Sequence, residues 1–308
     1  MLVMLMACAG TLAGPVIAWR LWRWRTWPAR AVLAVLVILY GLGVWTVLIE
    51  PKLLVVRHVT VTTPAWTAPP TRIAVLSDTH VGDPHVDPER VARVAPRITQ
   101  EKPDAVVLVG DYVGGHRAAG ARSPEERAEI ARGIAALGQA RGAFGRAAVL
   151  GNHDWWYDGA RVEAELVRAG VPVLENGAVR VHGKAGGFWI AGVADLYSER
   201  ASPSVPDALK AVTTDEPVIL LTHWPDVFAR VPPRVALTIA GHSHCGQVNF
   251  PIVGRPLTPS PGSARWPCGV YDEGGRKLLV TGGLGTSILP VRFRAPPEIV
   301  IVTVRAAP

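Results

Sequence analysis

Cysteine is scarce in this chain, with three in 308 residues. Cys8 sits in an apolar run, and Cys245 and Cys268 stand apart from any CxxC spacing. An odd, unpatterned set argues against a disulfide framework and against a zinc ribbon, and it leaves a single Cys245–Cys268 bridge open. Acidic residues are missing from positions 1–49, which hold Arg20, Arg23, Arg25 and Arg30. Those arginines supply four of the formal net charge of +7, leaving +3 for everything after them. No dense Lys/Arg block follows, so charge gives nucleic-acid binding little support. There is no internal repeat and no low-complexity tail. The length then suits one large domain with its own core and a small attachment.

The attachment is apolar. MLVMLMACAGTLAGPVIAW (1–19) and AVLAVLVILYGLGVWTVLI (31–49) are each long enough to cross about 30 Å of hydrocarbon as a helix. Between them RLWRWRTWPAR mixes arginine with Trp22, Trp24 and Trp27, as expected at a membrane surface. The first segment lacks the basic start and small-residue cleavage site of a signal peptide. The spacing predicts a two-helix transmembrane hairpin over residues 1–50. The positive loop places itself in the cytoplasm, which puts the domain at 51–308 on the extracytoplasmic face of the cell membrane.

After residue 50 the pattern changes. VVRHVTVTT alternates and reads as a strand. RIAVLSD, DAVVLVGD, RAAVLGNHD, PVILLTHWP and VALTIAGHSH are short apolar strands, each ending on polar residues. DPERVARVAPRITQE and SPEERAEIARGIAALGQ carry helical periodicity between them, the second opening on a Ser-Pro-Glu-Glu start. VYDEGGRKLLVTG and PPEIVIVTV close the chain with further strands. Strand–helix alternation of this kind predicts α/β layers with ligands beyond the strands' carboxyl ends.

Those ends hold SDTH (77–80), GD (110–111), GNHD (151–154), TH (222–223) and GHSH (241–244). A lone Gly-Asp is usually a turn, and a lone His a surface residue. Five such tips in succession point instead to divalent metal, for which carboxylate, imidazole and amide oxygen are suitable ligands. In an extended tip, residues i and i+2 point the same way, so Asp78 and His80 are expected to reach one metal together. His242 and His244 are spaced to serve one metal each, with Ser243 and Cys245 pointing away.

The ordered series D-x-H, G-D, G-N-H-D, H, G-H-x-H resembles the calcineurin-like metallophosphoesterase family across residues 72–244. GNHDWW, AGHSHCGQ and GGLGTSILPVRFRAPPEI resemble its membrane-associated bacterial branch, which includes phosphodiesterases and lipid-precursor pyrophosphohydrolases. Cys245 departs from it, where that branch commonly has glycine. The resemblance implies a four-layer αββα sandwich over about residues 57–305. It implies one ion held by Asp78, His80, Asp111 and His244, and a second by Asp111, Asn152, His223 and His242, with Asp111 bridging. The family uses Mn, Fe, Zn, Ni or Mg in varying pairs.

Two divalent ions outweigh two aspartates, so the site would attract a phosphate ester and acidify a water. His153 is then expected as general acid, oriented by Asp154. The expected activity is phosphodiester, pyrophosphate or phosphomonoester hydrolysis, in a substrate that the membrane location allows to be lipid-linked. Other readings are a nuclease or cyclic-nucleotide phosphodiesterase, a non-catalytic metal-binding scaffold, and a metal-sensing or metal-delivery membrane protein. Residues that touch substrate are not legible. Trp155, Trp156 and Tyr157 could line a pocket or the core, and Arg292 and Arg294 could meet a second phosphate or solvent.

Overall fold

A computed structural model of the protein describes Gly14, Trp19 and residues 26–183 and 186–307. Apart from Gly14 and Trp19, the first apolar segment lies outside the described residues, as does most of the arginine–tryptophan loop, and so does any test of the hairpin. Among the described residues one helical run, Trp27–Lys52, is long and apolar enough to cross a membrane, at mean hydropathy 2.6. It comprises α1 (Trp27–Val44), a wider turn over Trp45–Ile49 and a tight last turn at Glu50–Lys52.

The rest of the chain builds two sheets. The first contains β1 (Val55–Thr63), β2 (Thr71–Leu76), β3 (Ala105–Val109), β4 (Gly145–Val149) and β11 (Glu298–Ala306), ordered β1-β11-β2-β3-β4. Strands β2, β3 and β4 are parallel, and β11 runs antiparallel to β2. The second contains β5 (Gly177–Gly183), β6 (Gly186–Gly192), β7 (Val218–Thr222), β8 (Val235–Ala240), β9 (Gly269–Glu273) and β10 (Arg276–Val280). Its order is β5-β6-β7-β8-β10-β9, parallel from β6 through β10 and closed by hairpins at both edges. The strands of β3, β7 and β8 are buried throughout, which is why they read as continuous apolar runs rather than alternating ones.

Three apolar clusters hold the layers together. One fills the space between the sheets, from Ile73, Val107 and Val300 on one side to Ile190, Ile219 and Ile239 on the other. A second lies between the first sheet and the helices α2 (Pro88–Gln100), α3 (Pro124–Leu137) and α4 (Asn152–Arg168), with Leu108, Ile98, Ile134 and Leu166. A third covers the outer face of the second sheet, through Ala208 of α5 (Val205–Lys210), Phe228 and Trp266. Local signals set the helix starts. Asp87 caps α2 by accepting from the Arg90 N–H, and Ser123 and Glu126 form a reciprocal capping box on α3.

Because β2, β3 and β4 are parallel in one sheet and β7 and β8 in the other, their carboxyl ends emerge along one edge of each. The layered packing brings the two edges together.

Candidate metal centre and its cavity

Each strand hands the chain to a tip that leaves extended geometry at once. Asp78, His80, Asp111, His242 and His244 all have positive φ, between 48° and 64°. That region is costly for residues with a Cβ and persists where surroundings over-determine it. The expected i, i+2 alignment of an extended tip is therefore not how these side chains converge; left-handed kinks just past the strand ends turn them inward. Gly110 makes one of the tightest of these turns. Its φ is 86°, and a Cβ there would lie 2.6 Å from His223 Nδ1 and 2.8 Å from the Gly151 nitrogen.

Six of the seven anticipated ligands come together, and the seventh, Asn152, lines the cavity beside them. Ligating atoms of Asp78, His80 and His244 lie within 4.8 Å of one another, and so do those of Asp111, His223 and His242. His80, Asp111 and His153 form a third such group. Asp111 sits between them, with Oδ2 3.1 Å from His223 Nε2 and 3.7 Å from His80 Nε2. His80 Nε2 and His244 Nε2 face each other at 3.1 Å. His223 bonds the Val109 carbonyl through Nδ1 at 2.8 Å, which turns Nε2 toward Asp111.

These residues fit a divalent cation by their unused atoms. Asp78 Oδ2 and Asn152 Oδ1 are buried with no hydrogen-bond partner, and the Nε2 atoms of His80 and His244 face each other at 3.1 Å. Buried polar atoms are rarely orphaned, so this gathering of acceptors calls for a cation. The electrostatics agree. Burial holds the His80 and His244 rings well below their usual range, and burial with repulsion from His223 takes His242 down to about 3. Those rings are neutral donors. Burial also pushes Asp78 up to about 6. At His223 burial opposes charging, yet Asp111 and Asp78 carry it up to about 10. The carboxylates that do this would draw a metal cation equally.

His153 and Asp154 part company. The His153 N–H donates to Asp111 Oδ1 at 2.9 Å, and its ring Nδ1 meets the Gly115 carbonyl at 2.9 Å. Asp154 does not orient that ring. Its Oδ1 accepts from the Tyr112 and Val113 N–H groups at 2.8 and 3.1 Å, and its Oδ2 from Gly151 N–H at 2.9 Å. Burial, then the Asp111 charge, pushes Asp154 up to about 8 against the pull of those donors. Asp154 is thus a brace between the β3 and β4 tips. Asp154→Ala would orphan three buried N–H groups, and we expect it to lower stability by about 3 kcal/mol or more. His153→Ala should cost about 1 kcal/mol. Thermal unfolding of the two variants checks the difference, and equal losses would count against the brace.

The cluster opens into a cavity of about 370 Å³, and Asp111, Asn152, His153, His242 and His244 line its floor. One wall is aromatic. Trp156 packs between His153 and Tyr197, and Trp224 stacks on His242 with ring centroids 3.7 Å apart. The Trp224 indole N–H donates to buried Asp195 at 2.7 Å, which fixes the ring. Leu257, Ile288 and Leu289 form the opposite rim. Of the three aromatics after the GNHD tip, Trp156 lines the cavity while Trp155 and Tyr157 are core. His116, Asp195, Tyr197 and Trp224 escaped the sequence reading, because no strand-tip pattern marks them. Arg292 meets neither phosphate nor solvent. It is fully buried and donates to the carbonyls of Gly282, Gly285 and Ala295.

Fold and cluster together define a two-sheet α/β protein with a carboxylate–imidazole metal centre at the strands' carboxyl ends. Residues 71–246 match the family model for calcineurin-like phosphoesterase, and the chain belongs to that family of metal-dependent phosphoric ester hydrolases. It is similar to the metallophosphoesterase YkuE of Bacillus subtilis, 30% identical across 76% of this chain and 79% of that protein. Phosphodiesterase YaeI of Escherichia coli is 28% identical across 66% of this chain and 71% of its own. A zebrafish (Danio rerio) protein described as a transmembrane protein with metallophosphoesterase domain is 28% identical across 77% of this chain, which spans 53% of that longer protein.

Proposed function

We propose that the protein is a membrane-anchored, two-metal phosphoesterase whose domain, residues 51–308, works on the extracytoplasmic face. The adjoining groups Asp78–His80–His244 and Asp111–His223–His242, with Asp111 also close to His80, carry this reading. Asp78, His80, Asp111 and His244 would hold one ion, and Asp111, Asn152, His223 and His242 the other. When bound, such a pair supplies positive charge to the phosphoryl group and lowers the pKa of water.

The chain's own residues supply the rest. Asp111 offers each ion group a share of one carboxylate while its Oδ1 holds the His153 backbone. The Gly115 carbonyl orients the His153 ring by accepting from Nδ1–H, so the ring gives a proton to the leaving oxygen through its other nitrogen when it enters the reaction as the imidazolium. Among the described residues the walls, with Trp156, Tyr197, Trp224, Leu257, Ile288 and Leu289, contain no Lys or Arg and suit an amphiphilic ester, lipid-linked or otherwise apolar, better than a polynucleotide. YaeI's description as a phosphodiesterase agrees with a diester substrate. The Cys245–Cys268 disulfide favours an oxidising compartment, as the arginine loop does.

The test uses the full chain in detergent, stripped of metal and resupplied with Mn²⁺. Metal-dependent hydrolysis of bis(p-nitrophenyl) phosphate is expected. His153→Ala should lose about 10²–10⁴-fold on an alkyl ester and much less on the activated nitrophenyl one. Equal losses on both would remove His153 from the acid role, and no turnover with any divalent ion would overturn the hydrolase reading.

A further inference from the structure

Among the described residues the three most exposed apolar side chains outside α1 sit on two tips: Ile252 is 98% exposed, Ile288 84% and Val253 73%. Single exposed apolar residues are ordinary on a protein surface, but Ile288 rims the cavity with Leu257 and Leu289, and the tip that carries Ile252 and Val253 is bonded at its base to the segment just beyond it. Ile252 and Val253 form the tip of a tight hairpin whose ends, Phe250 and Gly254, exchange backbone hydrogen bonds at 2.7 and 3.0 Å. Ile288 caps the loop that rims the cavity, and its φ of 63° is unusual for a β-branched residue. An isoleucine held in that strained conformation and turned outward is poorly explained by water as its surroundings.

Both tips are tied to the end of the apolar helix. The Arg292 N–H donates to the Thr46 carbonyl at 2.9 Å, and the Ala295 N–H to Glu50 Oε1 at 2.7 Å. The Asn249 N–H in turn bonds the Phe293 carbonyl at 2.9 Å, laying the hairpin's base beside the same segment. The plane of the bilayer can be placed from the helix itself. Trp27 and Trp45 bound the 18-residue α1, an axial rise of ~27 Å, close to a hydrocarbon core of about 30 Å. Tryptophan at both ends is what a membrane interface selects. Trp45 precedes Thr46, so the interface runs at the level of the 290–295 segment that carries both tips.

We infer that the hairpin Phe250–Gly254 and the loop at Ile288–Leu289 are a second membrane contact, with Ile252, Val253 and Ile288 dipping into the leaflet where α1 ends. The occupant of this surface is the lipid bilayer. The rim would then hold the cavity mouth at the headgroup layer, so that a membrane-borne ester enters without leaving the bilayer. The inference rests on the reading of Trp27–Lys52 as a span and not on turnover.

Spin labelling of the full chain in phosphatidylcholine–phosphatidylglycerol vesicles tests it. The background is Cys8→Ser, since Cys245 and Cys268 are joined to each other. Labels go on Ile252→Cys and Ile288→Cys, with Leu36→Cys in α1 and Val167→Cys, exposed at the far end of α4, as references. Power saturation is expected to give oxygen access and exclusion of nickel-EDDA at 252 and 288, at a depth of about 5–10 Å. Nickel access at both, equal to that at Val167→Cys, would overturn the proposal. Shielding from both reagents would overturn it in favour of a protein partner or second copy. Nickel access at Leu36→Cys would remove the span and the proposal with it. Depth is read without catalysis, so loss of the hydrolase reading alone would leave the result standing.

Discussion

Asp111→Asn is expected to lower metal-dependent diester hydrolysis by about 10³-fold. The carboxylate is buried, and burial alone would raise its pKa. The rings of His223, His153 and His80 around it outweigh that and hold it well below the usual carboxylate range. It is therefore a fixed negative charge shared by both halves of the cluster. Asparagine keeps the shape and removes the charge, and its amide hydrogens would point at His223 Nε2, 3.1 Å from the present Oδ2. Losing one shared anionic ligand removes several kcal/mol of electrostatic stabilisation, at 1.36 kcal/mol for each tenfold in rate. Bound metal, measured by elemental analysis after gel filtration, should fall from two equivalents to one or fewer. An Asn variant that kept both ions and turned over within tenfold of the parent would show that Asp111 does not bridge.

The tip-bearing strands and their polar ends were legible because buried parallel strands write themselves as short apolar runs, whereas the order of strands within each sheet and the β5–β6 hairpin were not. Where those runs stop, chemistry-bearing residues start, and the structure gathers the same residues along one edge. The tip geometry was not legible. Positive φ at Asp78, His80, Asp111, His242 and His244 belongs to no local code, since nothing in DTH or GHSH favours it as glycine would. It is imposed from outside, as where Gly283 packs so tightly on Asp78 that a Cβ would come within 2.5 Å of its Cβ. Asp154 misled for a similar reason. Adjacency to His153 suggested a dyad, while the helical start of α4 turns the two side chains apart and aims Asp154 at three backbone donors. Arg292 stayed open between a second phosphate and solvent because its partners are carbonyls, which leave no trace in sequence. The aromatic wall of Tyr197 and Trp224 comes from loops after β6 and β7, where no periodic pattern operates.

The bridge between Cys245 and Cys268 bears on both stability and location. It closes a loop of sequence separation 23, with Cα atoms 4.6 Å apart. By chain entropy such a closure stabilises by about 3 kcal/mol, which for a domain of this size corresponds to about 10 °C in the unfolding midpoint. The contribution falls on the tip that carries His242 and His244. Ser243, between them, donates to the Pro267 carbonyl at 2.7 Å, and Arg255 Nε donates to the Cys245 carbonyl at 2.8 Å, so the bridge clamps a loop already held at both sides. The double variant Cys245→Ser, Cys268→Ser is expected to unfold about 10 °C lower than the parent, and reductant should lower the parent but leave the variant unchanged. A midpoint within about 2 °C of the parent would mean that these neighbouring bonds hold the loop unaided. Rapid alkylation of intact cells supplies the second readout. A cytoplasmic domain would be kept reduced and would take up reagent at both positions. Protection of both cysteines until reduction would place the domain across the membrane from the arginine loop, whereas labelling of both would put the catalytic domain on the cytoplasmic face.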